Sequence, residues 1–132
     1  MKILRSTCIL FLITALMSCE KPEGLGGKAT IKGNIWTEDW NTTFTVLQSD
    51  YASADVEVYI IYGTNTSYSQ RIRTNYKGEF SFDFLREGIY QIYVYSKDKT
   101  LQAPSGIVAL VKDITITSKK QSVDLGRIVI YN

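Results

Sequence analysis

Apolar and polar residues alternate with a period of two over most of the chain after residue 28, which is typical of half-buried β-strands. The alternation is clearest over residues 79–85, Glu-Phe-Ser-Phe-Asp-Phe-Leu, where it predicts that the three Phe share one face. The residues expected in the core are Phe80, Phe82 and Leu85. Residues 54–60 alternate in the same way, and their predicted inward positions are Ala54, Val56, Val58 and Ile60.

Turn signals divide the chain into seven or eight short strands. Asn75-Tyr-Lys-Gly78 predicts a tight turn in which glycine supplies a positive φ, and Arg86-Glu87-Gly88 predicts another. Residues 37–43 and 97–106 are expected to form loops. Further strands are predicted over residues 29–36, 44–47, 68–74, 89–96, 107–117 and 122–131. This spacing, with no helical pattern after residue 18, predicts an all-β antiparallel sandwich that follows an N-terminal signal helix.

The N-terminal segment has the order of a secretory signal: two cations, an apolar run over residues 9–16, and the small residue Ser18 before Cys19. Its ending, Leu-Met-Ser-Cys, resembles the lipobox of bacterial lipoproteins. The resemblance implies cleavage before Cys19 and a diacylglycerol lipid on the Cys19 sulfur, which would anchor the protein in a membrane. The alternatives are an ordinary signal peptide and a short membrane anchor with a chance cysteine.

These features divide the chain into three parts. Residues 1–18 are expected to be the signal peptide, and residues 28–132 the sandwich. Residues 19–27 hold the lipidated cysteine followed by a polar stretch with three Gly and one Pro, which predicts a flexible tether. The 114 residues left after cleavage suffice for one domain.

The charge of the mature chain is balanced, because cleavage removes Lys2 and Arg5 and leaves 13 Lys and Arg against 13 Asp and Glu. This balance gives no electrostatic reason to expect nucleic acid or anionic lipid as a partner. Membrane attachment would therefore depend on the acyl chains, since no later apolar run approaches the ~18 residues needed to cross a bilayer.

Residues 74–94 resemble the carboxypeptidase regulatory-like family. The matching positions are Thr74, Gly78, Phe80, Phe82, Leu85, Gly88, Tyr90 and Ile92. The resemblance implies a transthyretin-like (prealbumin-like) sandwich in which Tyr90 faces inward and its hydroxyl can bond the backbone at a corner. A related group of adhesin repeats forms Lys–Asn crosslinks; Lys32 matches the lysine, but the catalytic glutamate falls at Val94. No crosslink is therefore expected.

The residue types needed for catalysis are scarce. The chain has no histidine, Cys8 leaves with the signal, and Cys19 is expected to carry lipid, so no thiol nucleophile or disulfide remains. Glu38 and Asp39 share a loop, where a solvated position is a simpler interpretation than a metal site. We therefore expect a protein without enzymatic activity, bound metal or cofactor, apart from the lipid on Cys19.

Aromatic residues provide the remaining candidates for function. Nine Tyr and two Trp are present, and several occupy outward strand positions or flank a loop. Such side chains can stack on sugar rings or anchor a protein partner, but aromatic residues also stabilise sheets without any ligand. The candidate binding residues are Trp36, Trp40, Tyr59, Tyr93 and Tyr95.

The sequence thus indicates a lipoprotein of the outer membrane that faces the periplasm or the cell surface. Glu20 and Glu23, close after Cys19, partly resemble the surface-export signal of the Bacteroidota. The predicted function is non-catalytic binding or scaffolding of a protein or glycan partner. The alternatives are a carbohydrate-binding accessory lipoprotein and a fimbrial or envelope subunit assembled by strand addition.

Overall fold

The computed structural model describes residues 22–132 as eight β-strands that form two four-stranded sheets packed face to face. The strands are β1 (Leu25–Trp40), β2 (Leu47–Ala52), β3 (Glu57–Tyr62), β4 (Gln70–Arg73), β5 (Glu79–Leu85), β6 (Gly88–Lys97), β7 (Ile107–Ile116) and β8 (Ser122–Tyr131). The predicted all-β sandwich is confirmed. The predicted signal segment and Cys19 lie outside the described residues, among which no helix is long and apolar enough to cross a membrane.

The first sheet is built around β1, which has 16 residues and pairs along both of its edges. One edge is shared by β5, beside the first half of β1, and β2, beside the second half; both pairings are antiparallel. The other edge carries β8, which runs parallel to β1 from Thr30↔Ser122 to Glu38↔Tyr131. This parallel pair is the exception to the antiparallel pattern of the sheets, and it joins the first and last strands of the sandwich.

The second sheet has the order β4-β3-β6-β7 and is antiparallel throughout. Its central pair, β3 and β6, sets Tyr59 opposite Tyr93 and Ile60 opposite Ile92. Alternate residues of both sheets fill the space between them, as the period-two pattern requires. The largest side chains that are fully buried there are Tyr90, Phe82, Ile31, Ile35, Ile60, Leu85, Ile92 and Ile116.

Phe84 corrects the expectation that the three Phe of β5 share one face. Phe80 and Phe82 are buried, but Phe84 is 69% exposed while the next residue, Leu85, is fully buried. The register explains the change: Ile31 lies opposite Phe82 and Ala29 opposite Leu85, so β5 carries one extra residue between these pairs. This bulge, in which Phe84 has a φ of 58°, reverses the alternation.

Other boundaries differ from the predicted ones because pairing between distant strands decides them. The expected loop at residues 37–43 is largely strand, since β1 continues to Trp40 through its pairing with β2 and β8. The strand predicted at residues 44–47 lies at Leu47–Ala52 instead, after a turn that contains Phe44 with a φ of 53°. Ala54 was expected to face inward, but it is exposed in the turn before β3.

The N-terminal residues of the described segment pack on the sandwich. The Tyr90 hydroxyl accepts a hydrogen bond from the Gly24 N–H at 2.9 Å and donates one to the Arg86 carbonyl at 2.7 Å, which is the corner bonding expected for this tyrosine. The Arg86 N–H in turn donates to the Gly24 carbonyl at 2.8 Å. As a result β1 begins at Leu25, three residues before the predicted start of the domain.

Candidate functional site

The five aromatic residues predicted to bind a partner lie on opposite sides of the sandwich. Trp36 and Trp40 are on β1, in the first sheet, whereas Tyr59 lies on β3 and Tyr93 and Tyr95 on β6, in the second sheet. They therefore form two separate surfaces. The predicted lipidation site, Cys19, lies outside the described residues.

Four tyrosines form one cluster on the outer surface of the second sheet, which we call the tyrosine face (Tyr59, Tyr68, Tyr93 and Tyr95). Tyr59 and Tyr93 are cross-strand neighbours whose rings stack at 4.8 Å between centroids and 6° between planes. Tyr95 meets both of them edge-on, at 5.6 Å from Tyr59 and 5.7 Å from Tyr93. Tyr68 packs against Tyr59 at 5.1 Å, so Tyr59 contacts the three other rings.

Tyr68 is the member of this cluster that the sequence did not single out. It lies in the connection between β3 and β4, two residues before β4 begins at Gln70, and its neighbours in sequence are polar. The predicted strand over residues 68–74 gave no sign that its first residue reaches Tyr59. Only the return of the chain from β3 to β4 brings the two rings together.

Glu57 and two arginines set the charge beside the tyrosine face. The Tyr59 hydroxyl donates to Glu57 at 2.7 Å, and this hydrogen bond is the main cause that lowers the pKa of Glu57 and raises the pKa of Tyr59. Arg71 and Arg73 lie 3.7 Å and 3.4 Å from the same carboxylate. Burial raises the pKa of Tyr93. Near neutral pH Tyr59 and Tyr93 are thus uncharged and Glu57 is ionised.

The tyrosine face is only half covered by the protein itself. Tyr95 is 51% exposed and Tyr68 is 45% exposed, while Tyr59 and Tyr93 are partly buried between them. Val111 on β7 lies opposite Tyr93 and is 50% exposed, so the apolar surface continues to the edge of the sheet. Exposed aromatic and aliphatic groups in one patch are a common feature of interaction surfaces.

On the other side of the sandwich, both tryptophans are held by a carboxylate and covered by a cation. The Trp36 indole N–H donates to Asp50 at 2.9 Å, and the guanidinium of Arg127 lies 3.9 Å from the centre of the Trp36 ring. The Trp40 indole N–H donates to Glu38 at 3.0 Å, and the Lys99 ammonium lies 3.9 Å from the Trp40 ring. Each tryptophan therefore already has a cation–π partner within the chain.

An open groove of about 780 Å³ runs beside Trp36 over the outer surface of β5, β1 and β8. The strand register places polar side chains across it in two rows. The first row is Ser81–Lys32–Asp124, and the second is Glu79–Asn34–Arg127. A register shift of β8 between Asp124 and Arg127, at Gly126, moves Arg127 into line with Asn34.

The acidic residues of the described segment do not gather into a metal site. Within residues 22–132, no group of three or more Cys, Asp or Glu side chains is placed to hold a metal ion. Glu38, considered above as a loop residue beside Asp39, is a strand residue that accepts the Trp40 N–H.

Comparison with known proteins gives only a likeness in fold. No protein-family model and no curated protein matches the chain. A candidate carbohydrate-binding protein from Pseudomonas aeruginosa has a similar structure, with a TM-score of 0.47 and 10% identity over 83% of this chain and 91% of that one. An (S)-allantoin synthase is similar with a TM-score of 0.41 and 9% identity over 77% of this chain and 42% of that one. Neither likeness assigns a ligand to this chain.

Proposed function

We propose that the chain is a non-catalytic binding domain of an outer-membrane lipoprotein, anchored by lipid on Cys19, which holds a protein partner on its tyrosine face. The observation that carries this proposal is the cluster of four tyrosines in mutual ring contact on an outer sheet surface, in which Tyr95 and Tyr68 are half-exposed. Arg71 and Arg73 lie beside it, at the Glu57 carboxylate that accepts from Tyr59. Tyrosine and arginine are enriched among the residues that dominate the binding energy of protein interfaces.

The stacking of the rings favours a protein partner over a sugar at this surface. A sugar ring stacks on an open aromatic face, whereas Tyr59 and Tyr93 cover each other at 4.8 Å. Their mutual contacts also hold the rings in place, so that binding costs little side-chain entropy. A flat, preorganised surface of ring edges and hydroxyl groups suits a protein surface with apolar groups and carboxylates, which Arg71 and Arg73 can meet.

In vivo photo-crosslinking tests this proposal. A photoreactive phenylalanine analogue placed at position 95 should give one discrete adduct in intact cells, and the additional substitution Tyr68→Ala should abolish it. The same analogue at position 76 is the matched control, because Tyr76 is 78% exposed in the β4–β5 turn and takes no part in the ring contacts of the cluster. Absence of an adduct from position 95, or the same adduct from position 76, would contradict the proposal.

Strand addition at the β7 edge is less favoured by the structure. Lys112 lies opposite the buried Ile92, so it occupies a position of β7 that faces the core side of the sheet. Its side chain is nevertheless exposed on this edge strand. A charged side chain at a core-facing position of an edge strand is a recognised device against edge-to-edge pairing. A partner strand would have to bury or displace the Lys112 ammonium.

A second candidate function, binding of an acidic glycan, is favoured by the groove beside Trp36. Arg127 is exposed, its guanidinium is held by stacking on Trp36, and within residues 22–132 it has no carboxylate within ion-pair distance. A preorganised guanidinium binds a carboxylate through paired hydrogen bonds. Glu79 and Asp124 across the same groove can accept sugar hydroxyl groups, which an acidic peptide lacks.

The groove is tested with an oligogalacturonide and its neutral methyl ester as probes. We expect binding of the acidic probe, and a loss of roughly tenfold or more in affinity for Arg127→Gln, since hydrogen bonds to charged groups are the stronger class. Lys119→Gln makes the same change in charge at an exposed loop residue and should leave affinity unaltered. Equal binding of the ester, or equal effects of the two substitutions, would exclude this candidate.

A further inference from the structure

The hydrogen bonds at residues 22–24 restrict where the anchored domain can lie. We propose that the end of the sandwich formed by the β5–β6 turn and the start of β1 rests against the bilayer and contacts its headgroup region. The inference rests on the proposed lipidation of Cys19 and adds an orientation to it.

Hydrogen bonds attach the N-terminal segment to the sandwich. The Arg86 side chain donates to the Pro22 carbonyl at 3.2 Å, and the Arg86 N–H donates to the Gly24 carbonyl at 2.8 Å. The buried hydroxyl of Tyr90 accepts the Gly24 N–H at 2.9 Å. Three hydrogen bonds thus hold residues 22–24 on the β5–β6 corner, where a flexible tether was predicted.

The link that remains between Cys19 and the attached segment is short. Only Glu20 and Lys21 lie between Cys19 and Pro22, so the two Cα atoms of Cys19 and Pro22 are at most about 10 Å apart even in an extended chain. Acyl chains on Cys19 would lie in the membrane with the Cys19 backbone at its surface. The β5–β6 corner would then be held within roughly that distance of the headgroups.

The strand register shows what else lies at this end. Leu25 lies opposite Leu85, Gly88 lies opposite Ile116, and Thr30 lies opposite Ser122. The start of β1, the β5–β6 turn and the β7–β8 loop therefore share one end of the sandwich.

Three apolar side chains on β1, β5 and β6 are exposed around this end. Phe84 is 69% exposed, Leu25 is 51% exposed and Ile89 is 46% exposed. Within about 10 Å of a bilayer, such groups gain stability by entering the boundary between headgroups and acyl chains. The opposite end also exposes apolar groups such as Tyr76 and Leu101, so the short link decides which end faces the membrane.

The orientation has a consequence for the tyrosine face. The strands run between the two ends of the sandwich, so with one end on the bilayer both sheets stand upright on it. The outer surface of the second sheet then points sideways along the membrane. A partner bound there would be a neighbour in the same envelope layer.

Quenching by spin-labelled lipid tests the orientation. The lipoprotein is purified with its acyl chains and placed in phosphatidylethanolamine–phosphatidylglycerol vesicles that carry a nitroxide near the headgroup. Because acylated Cys19 offers no thiol, Phe84→Cys and the control Tyr76→Cys each give one site for a fluorophore. We expect quenching at position 84 to exceed that at position 76 severalfold. An insertion of ten Gly and Ser residues after Lys21 should remove most of the difference.

The outcomes separate this inference from the proposed function. Mass spectrometry of the purified protein shows first whether Cys19 carries diacylglycerol, and an unmodified Cys19 would overturn both the anchor and the orientation. A lipidated protein with equal quenching at the two positions would overturn the orientation alone. A difference that persists unchanged after the ten-residue insertion would also contradict it, since the short link would not be its cause.

Discussion

Replacing Tyr90 with Phe removes one hydroxyl group and with it the two hydrogen bonds that this hydroxyl makes at the β5–β6 corner. Tyr90 is 1% exposed, and its hydroxyl bonds the N–H of Gly24 and the carbonyl of Arg86. A buried N–H or carbonyl left without a partner costs about 1–3 kcal/mol. Gly24 is buried and Arg86 is partly exposed, so we expect a loss of about 1–3 kcal/mol in the free energy of unfolding.

This loss is measurable against the whole stability of such a domain, which is of the order of 5–15 kcal/mol. For a chain of this size, each kcal/mol corresponds to about 4 °C in Tm, so Tyr90→Phe should lower Tm by roughly 4–12 °C. Urea unfolding of the mature chain with Cys19→Ser, followed by tryptophan fluorescence, measures the change directly. Hydrogen exchange of the Arg86 amide should also become faster, because this amide donates to the Gly24 carbonyl and Gly24 is held less firmly without the Tyr90 hydroxyl.

Tyr62→Phe is the matched control, since its hydroxyl donates to Gln70 at 3.1 Å in a partly exposed position where water can replace the bond. We expect a change of about 0.5 kcal/mol or less for this variant. If Tyr90→Phe destabilised the domain no more than Tyr62→Phe, the bonds of the Tyr90 hydroxyl would contribute nothing to the attachment of the N-terminal segment.

Three further predictions concern the turn, the long loop and the bulge. Gly78→Ala should lower the free energy of unfolding by at least about 2 kcal/mol, because φ is 75° and the new Cβ would lie 2.3 Å from a carbonyl oxygen of β1. Gly126→Ala is the control: φ is 68° but the space around it is free, so urea unfolding should show a loss of only about 1 kcal/mol. Hydrogen bonds from Thr100, Ala103 and Gln102 lower the pKa of Asp98 from 3.8 to about 2. The stability that Asp98 adds is therefore present above pH 4 and lost as the pH falls toward 2, so Tm of Asp98→Asn should fall less over this range than Tm of the parent chain. Phe84→Ala should change unfolding free energy by less than about 0.5 kcal/mol, whereas Phe82→Ala should cost about 3–5 kcal/mol; similar losses for both would contradict the bulge.

The sequence predicted well what depends on neighbouring residues. The period-two pattern found most of the strands, and the turn at Gly78 follows from a local need for positive φ. Tyr90 was expected to face inward and bond the backbone, as it does. These features are decided within a few residues, so they are visible before the fold is known.

The errors concern features that distant parts of the chain decide. Alternation assumes an unbroken strand, and the bulge at Phe84 becomes apparent only from the register of β5 against β1. Likewise, residues 37–40 are strand because β2 and β8 pair with them, although their local sequence suggests a loop. The contact of Arg127 with Trp36 joins residues far apart in sequence through the parallel β1–β8 pair, so no local pattern could predict it.

In the candidate site, too, local sequence predicts some features and the pairing of distant strands decides the others. The outward positions of Tyr59, Tyr93 and Tyr95 follow from alternation, but their assembly into one cluster requires β3 and β6 to be neighbours. The separation of Trp36 from these tyrosines likewise depends on which sheet each strand joins. A list of outward aromatic residues therefore could not show that it described two surfaces.

The stability of the domain and its proposed orientation on the membrane depend on the same few hydrogen bonds. The Tyr90 hydroxyl and the Arg86 backbone hold Gly24 on the sandwich, and in the proposed orientation this attachment keeps the link to the lipid anchor short. Tyr90→Phe removes one of the three hydrogen bonds that hold residues 22–24, so a folded variant should open this attachment more often and lengthen the effective link for part of the time. In vesicles it should reduce quenching at position 84, by less than the ten-residue insertion does, although the exposed surface of that end is unchanged. A stability effect without this loss of quenching would show that the corner bonds support the fold but do not orient the domain.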